Sequence, residues 1–116
     1  MNSNDVFVSH FKQVQEDVHR YAKEKGWWEK GIANRNQGEQ IALMHSELSE
    51  ALEAIRHKNP PSDHIPEFSG IEEELADVII RIMDFSEAYG FRTAEAVIVK
   101  QAFNEGRAYK HGGKEF

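Results

Sequence analysis

Apolar positions recur every three and four residues over four separate stretches of the chain, which is the spacing of amphipathic helices. In the first, Val6, Phe7, Phe11, Val14, Val18 and Tyr21 mark one side. Asp5 is placed to cap its start and Lys25-Gly26 to end it. A polar connector follows, from "WWEKG" to "NRNQG". The second helix begins near Gln37 to Glu39 and runs to about Lys58, carrying Ile41, Met44, Leu48, Ala51, Leu52 and Ile55. The segment "NPPSDHIPEFSG" holds all 3 prolines of the chain and reads as a loop. Ser69 caps a third helix, with Glu72 and Glu73 in its positive first turn, and this helix stops at Gly90. Thr93 caps a fourth, which fades between Gly106 and Lys110. No stretch alternates as a strand would, so the expected fold class is all-α, with four helices.

The 116 residues suit one domain, 1–116, with 111–116 expected as a flexible tail. The chain has no cysteine, which removes disulfides, thiolate metal sites and thiol nucleophiles. No apolar run approaches the ~20 residues of a membrane span. The start, "MNSNDVFVSHFKQ", lacks the layout of a signal peptide, so a cytoplasmic protein with no membrane partner is expected. A formal net charge of -6 opposes stable nucleic-acid binding. The charge is uneven, however. The middle is acidic ("SELSEALE", "IEEELADV"), whereas the last third gathers Lys100, Arg107, Lys110, His111 and Lys114.

Helical wheels give the acidic middle a pattern. With Glu47 at ~0°, Ile41, Met44, Leu48, Ala51, Leu52 and Ile55 fill roughly 40° to 140°, the arc expected to face a core. Glu50 falls at ~300° and Glu53 at ~240°, toward solvent. With Glu74 at ~0°, Ile71, Leu75, Val78, Ile79, Ile82 and Phe85 fill roughly 20° to 140°, and Asp77 falls at ~300°. Met44 and Phe85 are therefore expected in the core. Both helices carry an acidic pair at i and i+3 on the same edge of the apolar arc, Glu47-Leu-Ser-Glu50 and Glu74-Leu-Ala-Asp77. Antiparallel packing would bring four carboxylates together. Unscreened, they repel and their pKa values rise. Divalent cations that prefer oxygen ligands relieve this, Mg²⁺ in particular. The alternative is a solvated acidic seam with no ion.

The pattern ExxE, a spacer, then ExxD on consecutive helices resembles the MazG-like family of all-α nucleoside triphosphate pyrophosphohydrolases. The likeness extends over "GEQIALMHSELSEALEAIR", "EEELADVIIRIMD" and "KQAFNEGRAYKHGGK", nearly the whole chain, and is to the short single-domain members. It implies a four-helix MazG-like bundle in a homo-oligomer. It also implies hydrolysis of (deoxy)nucleoside triphosphates between the α- and β-phosphates, giving a monophosphate and pyrophosphate. On this reading Glu47, Glu50, Glu74 and Asp77 hold two or more Mg²⁺ ions, with Mn²⁺ able to substitute. Glu47 and Glu50 are the catalytic candidates, Glu50 as the base that takes a proton from water. The sequence itself does not tell purine from pyrimidine; the resemblance to phage-type members leans toward purine nucleotides, guanine among them.

Other residues are read more openly. Asp84, at ~280° on the Glu74 wheel, is expected as a solvated acid or as support for a metal site. Arg81 is expected to neutralise Asp77 or Asp84, or to touch phosphate. Lys100, Asn104 and Arg107 share a face of the fourth helix at i, i+4 and i+7. They form either a solubilising stripe or a nucleotide grip, with Lys100 and Arg107 on the β- and γ-phosphates and Asn104 on sugar or phosphate. Tyr109, Lys110 and His111 are placed to close over the ligand. Trp27 and Trp28 offer a stacking surface for a base, or one of them plugs the corner after the first helix. A di-iron carboxylate bundle wants Glu-x-x-His pairs, which Glu50 and Asp77 break. The rival from another class is a non-catalytic helical interaction module. Four short helices offer little wall for a nucleotide, so a homotetramer built from dimers, or a homodimer, is expected.

Overall fold

A computed structural model of the protein describes residues 2–107 and contains helices α1 (Ser3–Glu24), α2 (Gln37–Arg56), α3 (Gly70–Tyr89) and α4 (Thr93–Glu105). A single 3-10 turn, Ile32–Asn34, lies in the connector between α1 and α2. No strand occurs among the described residues; Pro61 and Ser69 form one isolated bridge. None of these helices is long and apolar enough to cross a membrane. Tyr109, Lys110 and His111, and the proposed tail 111–116, lie outside the described residues.

The caps explain the helix boundaries. Asn2, not Asp5, caps α1, because its side chain accepts from the Asp5 amide and leaves Asp5 in the first turn. Asn36 caps α2 by accepting from the Glu39 amide. The helix ends at Arg56, two residues before the expected point, since Lys58 and Asn59 take positive φ ahead of the two prolines. Ser69 and Glu72 form a reciprocal capping box on α3. Replacing Ser69 by Ala should cost about 1 kcal/mol, read as a lower urea midpoint with an unchanged slope. Gly90 ends α3 in the left-handed conformation, φ 70. Thr93 does not cap α4. Its hydroxyl meets the Ser86 hydroxyl instead, at 2.7 Å, and this contact joins the start of α4 to α3.

The α3 helix is the centre of the molecule. It packs along α2 on one side and α1 on another, while α4 packs on α1. The α2–α3 pair is antiparallel: Ala54 meets Gly70 near one end, and Glu47 meets Arg81 nearer the other. A Cβ on Gly70 would lie 3.2 Å from the Ala54 Cβ, a tight contact that a larger residue could make only if Ala54 gave way by a few tenths of an ångström. The loop between them is clamped to α3 through Glu73. Its carboxylate accepts from the Ser62 hydroxyl (2.6 Å) and pairs with the His64 ring (2.7 Å). The Ser62 bond first, then the one to His64, holds the Glu73 pKa below its ordinary value.

Among the described residues the buried apolar ones are few: Ala22, Trp28, Ala51, Met83 and Ala94. Around Trp28 an aromatic cluster runs through Tyr89 to Phe85 and Phe91. Met44 and Phe85, expected in the core, are half-buried. Much of the arc that the wheels assign to a core, including Leu48, Leu52, Ile55, Leu75 and Ile79, is exposed.

Candidate functional site

The seam between α2 and α3 is lined by acids. Glu47, Glu50 and Glu74 each offer a carboxylate oxygen, and these atoms lie within 4.8 Å of one another. The cause is local: i, i+3 spacing puts Glu47 and Glu50 on one edge of α2, and antiparallel packing sets Glu74 across from them. Only 12% of the Glu47 side chain is exposed, whereas Glu50 reaches solvent. Asp77 stands outside this group of three, half-buried one turn further along α3. It still feels the cluster: burial first, then the charges of Glu47 and Glu73, push its pKa up against the opposing pull of Arg81.

Arg81 is bound to Glu47, rather than to Asp77 or Asp84. Its Nε donates to Glu47 Oε1 at 3.0 Å, and Nη2 forms an ion pair with the same oxygen at 3.0 Å. One guanidinium does not neutralise three carboxylates. Glu74 carries the excess: burial, followed by hydrogen bonding with Glu47 and Glu50 and then their charges, pushes its pKa up to about 8. Glu74 Oε2 is buried and has no hydrogen-bond partner. At Glu47 burial also pushes upward, but hydrogen bonds from Glu74, Arg81 and Glu50 outweigh it and hold the group low. The seam therefore keeps a proton on Glu74 near neutral pH. An oxygen-only donor set with an orphaned buried oxygen and surplus negative charge suits a hard divalent cation.

Asp84 belongs to a different construction. It is neither solvated nor beside the carboxylate group, because it is buried between α1 and the connector. His19 Nδ1 lies 2.7 Å from Asp84 Oδ1. Trp28 Nε1 donates to both Asp84 oxygens, at 2.9 and 3.0 Å. Trp28 is thus the plug of the corner, 5% exposed, and is withdrawn from any stacking role. Arg35 covers its other side, 4.7 Å from the ring centroid, and donates to the Trp27 carbonyl.

Trp27 faces the other way and is 51% exposed. With Val18, Tyr21 and Ile80 it walls an apolar recess of about 270 Å³, with Lys25 and Asp84 also on its lining. The Arg81 guanidinium lies 5.9 Å from the Trp27 ring centroid. The recess, Trp27, Arg81 and Glu47 therefore form a continuous path from an apolar wall to the acid seam.

The basic face of α4 lies elsewhere. Lys100 and Asn104 line an open depression with Thr93, Ala96, Val97 and Gln101, all on α4. Lys100 and Arg107 bracket the exposed Phe103 ring, at 4.4 and 5.8 Å from its centroid. Among the described residues no hydrogen bond or ion pair joins Lys100, Asn104 or Arg107 to the seam.

Compared with family models, curated proteins and solved structures, the chain matches none of them.

Proposed function

We propose that this chain hydrolyses nucleoside triphosphates between the α- and β-phosphates in an Mg²⁺-dependent reaction, as a member of the MazG-like pyrophosphohydrolases. The observation that carries the proposal is the seam itself, three carboxylates within 4.8 Å with a buried, unpartnered oxygen on Glu74. The two acidic pairs and the C-terminal block that resemble that family support it.

Glu47, Glu50 and Glu74 would hold the ions, with Asp77 supplying a further oxygen at the edge. Mn²⁺ has the same oxygen preference and should substitute. When bound, the ions screen the triphosphate from the carboxylates and polarise the phosphorus under attack. The remaining roles fall to side chains. Glu50, the exposed member, takes the proton from the attacking water as pyrophosphate leaves the α-phosphorus. Arg81 fixes the orientation of Glu47 through its Nε hydrogen bond and ion pair. Trp27 and the recess behind it receive the base by stacking. Lys100, Arg107 and Asn104 bind the phosphates and sugar from a neighbouring copy in a homo-oligomer.

The test is to titrate Mg²⁺ or Mn²⁺ with a panel of ribo- and deoxyribonucleoside triphosphates and assay pyrophosphate. Pyrophosphate release that chelator abolishes is expected; orthophosphate alone, or no turnover with any nucleotide, contradicts the proposal. Trp27→Ala should raise KM by about 5- to 150-fold, the range of a lost stacking contact of ~1–3 kcal/mol. Its thermal midpoint should stay near that of the wild type, because the ring is half outside.

A further inference from the structure

One side chain touches both the apolar recess wall and the acid seam. Toward the seam, Arg81 Nε donates to Glu47 Oε1 at 3.0 Å and Nη2 pairs with the same oxygen at 3.0 Å. Toward the recess, the guanidinium lies 5.9 Å from the Trp27 ring centroid, within the range of a cation–π contact. Ile80, its neighbour on α3, lines the recess with Trp27. Glu47 in turn shares the seam with Glu50 and Glu74, their carboxylate oxygens within 4.8 Å of one another. Asp84 is also on the recess lining, three residues beyond Arg81. It does not compete for the guanidinium, because its oxygens are taken by Trp28 and His19.

We propose that Arg81 couples the two sites: an aromatic ring seated in the recess tightens the hold of the seam on a divalent cation, and the cation tightens the hold on the ring. This rests on the cation and ring sites of the hydrolase reading and adds a regulation that neither site has alone. The Arg81 side chain is 26% exposed and Trp27 is 51% exposed, so water reaches both when the recess is empty. A ring stacked on Trp27 displaces that water, lowers the dielectric around the guanidinium and strengthens its pairing with Glu47. Both contacts from Arg81 end on Oε1 and neither on Oε2, so the pairing fixes the Glu47 carboxylate without using both of its oxygens. A glutamate already fixed loses less side-chain freedom when it takes up a cation. Arg81 is thus a positioning residue that carries the coupling. The consequence is selectivity for the whole nucleotide, since an inorganic polyphosphate has no ring to seat and gains nothing from the recess.

The test uses the full chain with adenosine or guanosine, which carry no phosphate and so cannot bridge to the ions. Mn²⁺ affinity is read from the free ion by electron paramagnetic resonance, with and without the nucleoside. In the wild type the nucleoside should tighten Mn²⁺ binding about fivefold or more, the low end for coupled sites. Mn²⁺ should tighten nucleoside binding, read by equilibrium dialysis, by the same factor. Arg81→Lys keeps the charge but loses the planar group that meets a ring and a carboxylate together. It should bind Mn²⁺ and nucleoside separately, with a coupling factor near one. A merely structural Arg81 would shift the separate affinities and leave the coupling as in the wild type. A wild-type factor near one, which needs no variant to fold, or full coupling in a folded Arg81→Lys would overturn the proposal. Mn²⁺ binding and pyrophosphate release without coupling would sink the coupling alone; absence of Mn²⁺ binding would sink the hydrolase reading with it.

Discussion

Replacing Glu74 by Gln is expected to raise the thermal midpoint of the metal-free protein at pH 9 and to abolish both Mn²⁺-induced stabilisation and triphosphate turnover. The sign follows from linkage. The Glu74 carboxyl has its pKa raised in the folded chain to about 8, above its ordinary 4.5. Its contribution to stability is complete below pH ~4.5 and is lost progressively as the pH rises toward 8. At pH 9 the folded wild type carries a charge that burial and two neighbouring glutamates oppose; glutamine does not. The same substitution removes an oxygen that suits a cation and, with it, the negative charge available at that position. Turnover should fall by at least ~10²-fold, the scale on which removing one electrostatic group acts on a transition state. In the wild type the proton on Glu74 must leave when a cation binds. Binding at pH 7 should therefore release close to one proton per site, measurable by calorimetry in buffers of different ionisation enthalpy. Apparent Mn²⁺ affinity should rise with pH up to about 8 and level off above it. An affinity independent of pH between 6 and 8 would show that Glu74 is not a ligand.

The second large effect concerns stability alone. Asp84→Ala should destabilise the protein by about 3 kcal/mol, the lower end of the range for breaking a buried polar pair. For a chain of this size that is a drop of roughly 10 °C or more in the thermal midpoint. The substitution strands the His19 ring and the Trp28 indole N–H, both buried and both directed at Asp84. These contacts fix α1, the connector and α3 to one another, and so set the position of Trp27 and its recess. Trp28→Phe keeps an aromatic ring in the corner and loses the indole donor, so it should cost less than Asp84→Ala. Thermal unfolding of the two variants side by side checks the order. An Asp84→Ala protein as stable as the wild type would mean that this contact does not hold the elements together.

The sequence and the structure agree where the physics is local. Helix periods, the Ser69 capping box, the Gly90 stop and the proline loop all depend on neighbours within a few residues. The acidic pairs at i and i+3 are legible for the same reason, and the antiparallel seam brings Glu74 to Glu47 and Glu50 as the wheels require. Two caps differ from the sequence expectation, because Asn2 outcompetes Asp5 and because the Thr93 hydroxyl has a partner on α3. What cannot be read along the chain is the pairing of distant residues. Asp84 receives bonds from Trp28 and His19, 56 and 65 positions away, and only the packing of α1 on α3 brings them together. A faint signal exists in the placement of Asp84 among apolar residues of α3, at odds with a solvated acid. Arg81 likewise finds Glu47 across the seam, not an acid on its own helix. The apolar arcs point to a core, but a wheel specifies a face and not what covers it. In the isolated chain that face is open.

The most direct measurement is hydrolysis in ¹⁸O-labelled water with Mg²⁺ and a nucleoside triphosphate, the products being resolved by ³¹P NMR and mass spectrometry. Attack at the α-phosphorus with Glu50 as base predicts a nucleoside monophosphate carrying one ¹⁸O, unlabelled pyrophosphate, and loss of both products in Glu47→Gln with the fold retained. Label in orthophosphate, or undiminished turnover by Glu47→Gln, would contradict the account.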